Sequence, residues 1–390
     1  MRSPAMIAFL LTAGLLPAAD VELGSRPLEL AAKLEDGPLK QTLQACADGP
    51  FHKSEFVIGH RGAPLRYPEH TRESYLAAAK QGAGTVECDV TFTKDLELVC
   101  RHSQCDLATT TNILTTPLAA KCSQGFSPYD AATGKAASAR CCTSDLTLAE
   151  FQSLCGRMDS SNAKASTVEE FLADAPVCSG KLMTHAESIA LFQELDVHMT
   201  PEIKNPQAPM PFHGFSQQDL IRKILAEYRA AGVGPEDVRV QSFQLDDIYW
   251  LLEHEPAFGG RAVYLDGVRT ADDLPASMAR FPELAARGVK TLAPPLWALL
   301  TVDASGQRVA SDYAKAAKAA GFDLIAWTLE RSGDLSDGGG FYFQSTASVT
   351  HDESDYLEAL DALAQQVGVL AVFSDWPATA TFYANCMGLK

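Results

Sequence analysis

Eight short runs of β-branched and apolar residues recur along this 390-residue chain, separated by Ala- and Leu-rich segments of helical periodicity. The runs are residues 56–60, 85–90, 197–204, 238–243, 261–266, 290–296, 323–329 and 369–374. A strand joined to the next strand through a helix returns parallel to the first, so this alternation specifies a parallel sheet. Eight such units predict an α/β fold of the (β/α)8 TIM-barrel type, with an open doubly wound sheet as the alternative. A ninth run, 96–102, follows the second after only residues 91–95. A parallel return needs a crossover of about a dozen residues, so this run must fold back antiparallel as a hairpin arm. Helices are expected over 71–81, 145–154 (after Ser144), 217–231, 245–254, 312–320 and 354–367, several starting after Thr, Ser or Asp and ending at Gly.

The first residues have the pattern of an export signal: Arg2, an apolar stretch over 5–16, then the small residues Pro17-Ala18-Ala19. The stretch is shorter than the roughly 20 residues that span a bilayer. No later segment is long and apolar enough for a membrane helix, so no stable membrane insertion is expected. The chain therefore divides into a signal peptide, 1–19, and a single domain, 20–390, which is secreted or periplasmic. Ten cysteines suit an oxidising compartment, and six of them, from Cys105 to Cys178, crowd a stretch otherwise rich in Ser, Thr and Ala. That stretch, about 103–180, is expected to be an insertion after the second strand and its arm, stapled by disulfides rather than folded around its own core. Cys88 is either paired or a buried thiol. No Cys-x-x-Cys spacing suggests structural zinc. A formal net charge of −17 argues against a nucleic-acid partner, and an anionic substrate would need a local cationic site.

In a barrel, chemistry gathers at the C-terminal ends of the strands. There the sequence places His60-Arg61-Gly62, Glu87-Cys88-Asp89, His102 at the end of the arm, and Glu202-Ile203-Lys204. Strand side chains alternate faces, so Glu87 and Asp89 point one way and Cys88 the other, and Glu202 and Lys204 repeat the pattern. Three buried carboxylates need a positive partner, and a hard divalent cation bound through oxygen suits them: Ca2+ is favoured outside the cell, with Mg2+ the other option. An ion-pair network with Lys204 and Arg61 is the structural alternative. Two histidines at such a site suit general acid and base work, because imidazole titrates near neutrality. Arg61 and Lys204 suit non-bridging phosphate oxygens.

This ordered set resembles the glycerophosphodiester phosphodiesterase family: His60-Arg61-Gly62, Pro68-Glu69-His70-Thr71, Glu87-x-Asp89, His102, Glu202-x-Lys204, Gln241-Ser242-Phe243, Trp327-Thr328 and Ser374-Asp375-Trp376-Pro377. The resemblance implies a TIM barrel and metal-dependent hydrolysis of glycerophosphodiesters to sn-glycerol 3-phosphate and an alcohol. It implies His60 and His102 as the catalytic pair, Glu87, Asp89 and Glu202 as metal ligands, and Arg61 and Lys204 as phosphate-binding residues. Trp327 and Phe243 would line the substrate pocket, and Glu69 would hold Arg61. The sequence departs from the family at Ser103, where Asp commonly follows the histidine, so His102 is expected to have a different partner. The Cys-rich insertion is also longer than in minimal members. Two other functions compete: a phospholipase-like lyase that forms a cyclic phosphate from an intact lipid, and a non-catalytic secreted barrel that binds a phosphorylated ligand. A segment over 331–355, with Gly338 to Gly340 and Phe341, Tyr342 and Phe343, is expected to border the site as a loop.

Overall fold

The eight expected strands hydrogen-bond in one closed parallel sheet in this computed structural model, which describes residues 21–172 and 178–389. The expected leader, 1–19, lies outside the described residues. In chain order the strands are β1 (Ser54–Gly59), β2 (Ala83–Phe92), β3 (Leu98–Cys100), β4 (His198–Ile203), β5 (Gln241–Ser242), β6 (Val263–Leu265), β7 (Thr291–Ala293), β8 (Asp323–Ala326) and β9 (Ala371–Ser374). β1 pairs in parallel with both β9 (Val57↔Val372) and β2 (Ile58↔Thr85), which closes the circle and excludes the open sheet. β3 is the hairpin arm, antiparallel to the end of β2 with Val90 opposite Cys100.

Alternation along the strands sorts the core into two layers. Ile58, Val263, Leu265, Ala293, Ile325, Ala371 and Phe373 pack on one another inside the barrel. Their neighbours Val57, Leu324 and Val372 belong to the larger cluster between the sheet and the surrounding helices. The inner plug stops short of the C-terminal mouth, where the inward-pointing residues become charged.

Several elements are shorter than the sequence suggests. Strand 290–296 ends at Ala293, since Pro294 and Pro295 lead into a helical turn at Leu296–Leu299. The helix expected over 145–154 starts at Leu148, because Thr147 and Glu150 cap each other's backbone, and Thr143–Asp145 forms a separate 3-10 turn. The helix expected over 354–367 becomes Asp355–Asp361 followed by a wider π turn, Ala362–Val367. Among the unanticipated helices are His185–Glu194 and Pro377–Cys386. The latter is buried from Pro377 through Ala384, so it shows no amphipathic stripe to read.

All ten cysteines are paired, among them Cys88, which bonds Cys100 and is not a buried thiol. The insertion carries Cys105–Cys142, Cys122–Cys141 and Cys155–Cys178. Contrary to expectation it also has a core, in which Leu107, Ile113, Leu146, Phe151 and Phe171 pack with Val99 of the arm. Among the described residues no helix is long and apolar enough to cross a membrane.

Cys46–Cys386 joins an N-terminal helix, Pro38–Ala45, to the last helix across 340 residues of chain. Closing so long a loop restricts the unfolded ensemble strongly. Replacing both cysteines by Ser is expected to lower unfolding free energy in urea by ~4 kcal/mol, with the circular dichroism spectrum of the folded protein unchanged.

Candidate active site

The turn after β1 begins the site. Arg61 and Gly62 both have positive φ, 56° and 96°. A Cβ on residue 62 would lie 2.3 Å from Ser74 Oγ, so this turn requires glycine. It aims the backbone N–H of Arg61 at Glu87 Oε2, 2.9 Å away, while Arg61 Nη1 donates to Glu69 Oε2 at 2.8 Å. Glu69 also faces Arg101 and Arg331 at 3.6 Å each. Burial would raise its pKa, but these three guanidiniums hold it well below the usual carboxylate range.

Asp89 and Glu202 sit at the same level on neighbouring strands, and Gln241 is level with Glu202 on the next. Glu87, Asp89 and Glu202 are all buried, and each offers an oxygen within 4.8 Å of the others. Lys204 Nζ lies 2.7 Å from Glu202 and 3.9 Å from Asp89. His70 Nε2 lies 2.7 Å from Asp89 Oδ2, and Gln241 Nε2 donates to Glu87 Oε1 at 2.7 Å. Asp89 Oδ1 is buried without a hydrogen-bond partner. These contacts do not balance three negative charges. Burial, together with Asp89 and Glu202, pushes Glu87 well above its ordinary pKa, and burial lifts Glu202 to about 8. Against burial, Lys204 and His70 keep Asp89 well below its own. An all-oxygen donor set with an orphaned carboxylate oxygen, needing extra protons to coexist, fits a hard divalent cation better than it fits an ion-pair network closed on itself.

His60 Nδ1 contacts Asp375 Oδ1, and its Nε2 lies 3.8 Å from Glu87. Arg331 Nε donates to the other oxygen of Asp375 at 2.9 Å. Although burial opposes it, Arg331 and His60 keep the Asp375 pKa below the ordinary value. An ionised carboxylate only accepts hydrogen bonds, so the His60 proton resides on Nδ1 and the Nε2 lone pair points away from Asp375. Burial lowers the His60 pKa to about 4 despite Asp375.

His102, half-buried beyond β3, is pushed well below the usual imidazole pKa by burial and then by Arg61 and Lys204. It lines a cavity of about 250 Å3 with Glu202, Lys204, Asn205 and Phe243. Phe243 meets Trp327 edge to face at 5.7 Å, and Trp327 Nε1 donates to Ala293 O at 2.7 Å. From the 331–355 loop, Phe341 and Tyr342 pack on Trp327 at 6.4 and 6.0 Å. Phe343 instead is fully buried beside Tyr356 and anchors that loop.

Residues 60–379 match the glycerophosphoryl diester phosphodiesterase family. The chain belongs to this family. It is 41% identical over 246 residues to a protein of Arthroderma benhamiae described as an extracellular protein, a match covering 60% of this chain and all of that one. Over 58 residues it is 53% identical to a Mycobacterium tuberculosis protein named for glycerophosphodiester phosphodiesterase activity, covering 15% of this chain and 21% of that one. Among solved structures, a glycerophosphoryl diester phosphodiesterase of Silicibacter pomeroyi has the same fold at 19% identity, with a TM-score of 0.57 over 88% of this chain and 96% of the other. An Oleispira antarctica phosphodiesterase, solved with the product sn-glycerol-3-phosphate, is 18% identical with a TM-score of 0.51, covering 86% and 97%.

All ten site residues singled out in the sequence lie in or around this mouth. Sequence reasoning missed His70, Arg331 and the contact of Asp375 with His60. His70 and Asp375 stand within quoted motifs, which was the available signal; Arg331 opens a loop without periodicity.

Lys204 is the cation nearest the trio, so Lys204→Met should lower stability by ~3 kcal/mol in chelator. Much of that loss should return on adding a divalent ion, which would bind more tightly for want of Lys204. Urea unfolding with and without the ion checks this, and a loss that the ion leaves unchanged contradicts a cation site.

Proposed function

We propose that this phosphodiesterase hydrolyses glycerophosphodiesters to sn-glycerol 3-phosphate and an alcohol outside the cell. The carrying observation is the buried trio Glu87, Asp89 and Glu202, with its orphaned Asp89 oxygen, flanked by His60 and His102. In this reading the trio holds a divalent cation, Ca2+ in preference to Mg2+, since three carboxylates and an extracellular setting suit the larger ion. When bound, such an ion supplies positive charge to the phosphate oxygens.

Arg61 and Lys204 hold the non-bridging oxygens, with Glu69 keeping the Arg61 fork in place at 2.8 Å. His60, its Nδ1 proton directed to Asp375, takes the proton of the attacking hydroxyl at Nε2. As the new P–O bond forms, the bond to the alcohol breaks, and His102 protonates the departing oxygen. Without substrate, burial and the cations disfavour imidazolium at His102; a phosphate monoanion offsets Arg61 and Lys204 and makes that proton easier to hold. Water and the adjacent glycerol hydroxyl present the same O–H group to His60, and phosphorus NMR separates them by the absence or appearance of a cyclic phosphate. Trp327 and Phe243 form an apolar wall of the substrate pocket. Five disulfides and the extracellular relative support export, as does the leader-like N-terminus.

The test is release of glycerol 3-phosphate from a panel of glycerophosphodiesters, beside sphingomyelin and lysophospholipid, after chelation and after return of Ca2+ or Mg2+. Activity should vanish on chelation and return best with Ca2+. His60→Ala and His102→Ala should each lower kcat at least about 100-fold with melting temperatures maintained. Cyclic phosphate from the lipid substrates alone would favour the lyase reading.

A further inference from the structure

Beyond β8 the chain continues through Trp327-Thr328-Leu329-Glu330-Arg331, and this stretch is zipped along the end of β9. Leu329 N–H and Thr328 Oγ both donate to Phe373 O, at 3.0 and 3.1 Å. Glu330 extends the contact with its side chain, which is buried and accepts only from residues 374–376 among the described residues. Its Oε2 accepts from Ser374 Oγ at 2.8 Å, from the backbone N–H of Asp375 at 2.9 Å and from that of Trp376 at 3.3 Å, and its Oε1 accepts from Ser374 Oγ at 3.1 Å. Arg331, the next residue, donates through Nε to Asp375 Oδ2 at 2.9 Å. Two consecutive residues therefore grip Asp375 from opposite ends, Glu330 by its backbone and Arg331 by its carboxylate.

What this grip holds is the partner of His60. Asp375 Oδ1 meets His60 Nδ1, and the same turn is bonded to the His60 backbone, whose N–H donates to Ser374 O at 3.0 Å. Burial and the charge of Asp375 lift the Glu330 pKa to about 7, so at neutral pH this carboxyl is not firmly ionised. The neutral acid can still offer Oε2 to both backbone donors while its own O–H faces Ser374 Oγ, so the hold depends on reach rather than on charge. The two backbone N–H groups also precede the buried helix Pro377–Cys386, which the contact helps to secure. Securing a helix and positioning a carboxylate differ in what each does to His60.

We propose that Glu330 is a positioning residue: by fixing the backbone of Asp375 it keeps that carboxylate on His60 Nδ1, and so leaves Nε2 free to take the proton of the attacking hydroxyl. This rests on the proton-accepting role given above to His60. Asp375 stands on a turn between a strand and a helix, where a shift of about 1 Å is enough to spoil a catalytic alignment. Once the carboxylate leaves Nδ1, the ring is free to carry its proton on Nε2, and that tautomer has no lone pair there to accept another.

The experiment compares Glu330→Asp, which keeps the acid and withdraws it by one methylene, with Glu330→Gln, which keeps the reach and removes the acid. Glu330→Asp should lower kcat about 10- to 100-fold with KM within about 2-fold, and Glu330→Gln should recover most of that loss. In 15N NMR of the intact protein the His60 ring should report the Nδ1–H tautomer in the unsubstituted and Gln forms, and a tautomer mixture in the Asp form. In a His60→Ala background Glu330→Asp should add nothing further. Should Glu330→Asp fail to fold, Ser374→Ala, which removes the hydroxyl donor to both carboxylate oxygens, takes its place; it should lower kcat about 3- to 10-fold and bring in the second tautomer. A folded Glu330→Asp with a lower melting temperature but normal kcat and one tautomer overturns the proposal, leaving Glu330 to secure the helix alone. Glu330→Gln as impaired as Glu330→Asp overturns it too. If His60→Ala keeps near-normal kcat, the role of His60 fails first; if it loses activity while Glu330→Asp does not, only the positioning role fails.

Discussion

Three carboxylates sharing a few ångströms of buried space at the barrel mouth set the terms for everything built around them. Like charges at such range in a low dielectric cannot all persist unassisted. The fold answers with Lys204 against Glu202, His70 against Asp89, and the Gln241 amide and Arg61 backbone against Glu87, yet it leaves one Asp89 oxygen without a hydrogen-bond partner, 3.9 Å from Lys204. That residual demand is what suits the mouth to a cation and an anionic ester together. The apolar plug of Ile58, Leu265, Ile325 and Phe373 directly beneath it denies the charges any deeper solvent.

A second ring of ion pairs surrounds His60 and Arg61, the groups proposed to move a proton and to hold phosphate. Asp375 is shared between His60 and Arg331, and Glu69 among Arg61, Arg101 and Arg331. Arg331 thus ties the two halves together from the loop after β8. The same loop sends Phe341 and Tyr342 onto Trp327, so one segment contributes to both the electrostatics and the apolar wall.

The parts legible in the sequence were those governed by short periods. Glu87-x-Asp89 and Glu202-x-Lys204 announce a shared face because strand residues alternate, and five intervening residues before 96–102 permit only a hairpin. What stayed hidden depends on packing between distant segments. Nothing in the period of the chain pairs Asp375 with His60 across 315 residues, or Gln241 with Glu87 across 154. The insertion misled in another way: its Ser, Thr and Ala content masks Phe151 and Phe171, too few and too scattered to form a pattern but enough for a small core once disulfides gather them. The helix Pro377–Cys386 was missed for the opposite reason, being buried on every side, threonines included.

The bond between Cys46 and Cys386 closes residues 46–386 into a covalent ring. A barrel closed by hydrogen bonds between β1 and β9 has one seam, where first and last strands meet. With the segments before β1 and after β9 covalently joined, the seam strands are held together, and a protease cut in a loop between them leaves the two pieces attached. Damage then has to accumulate before the strands can part.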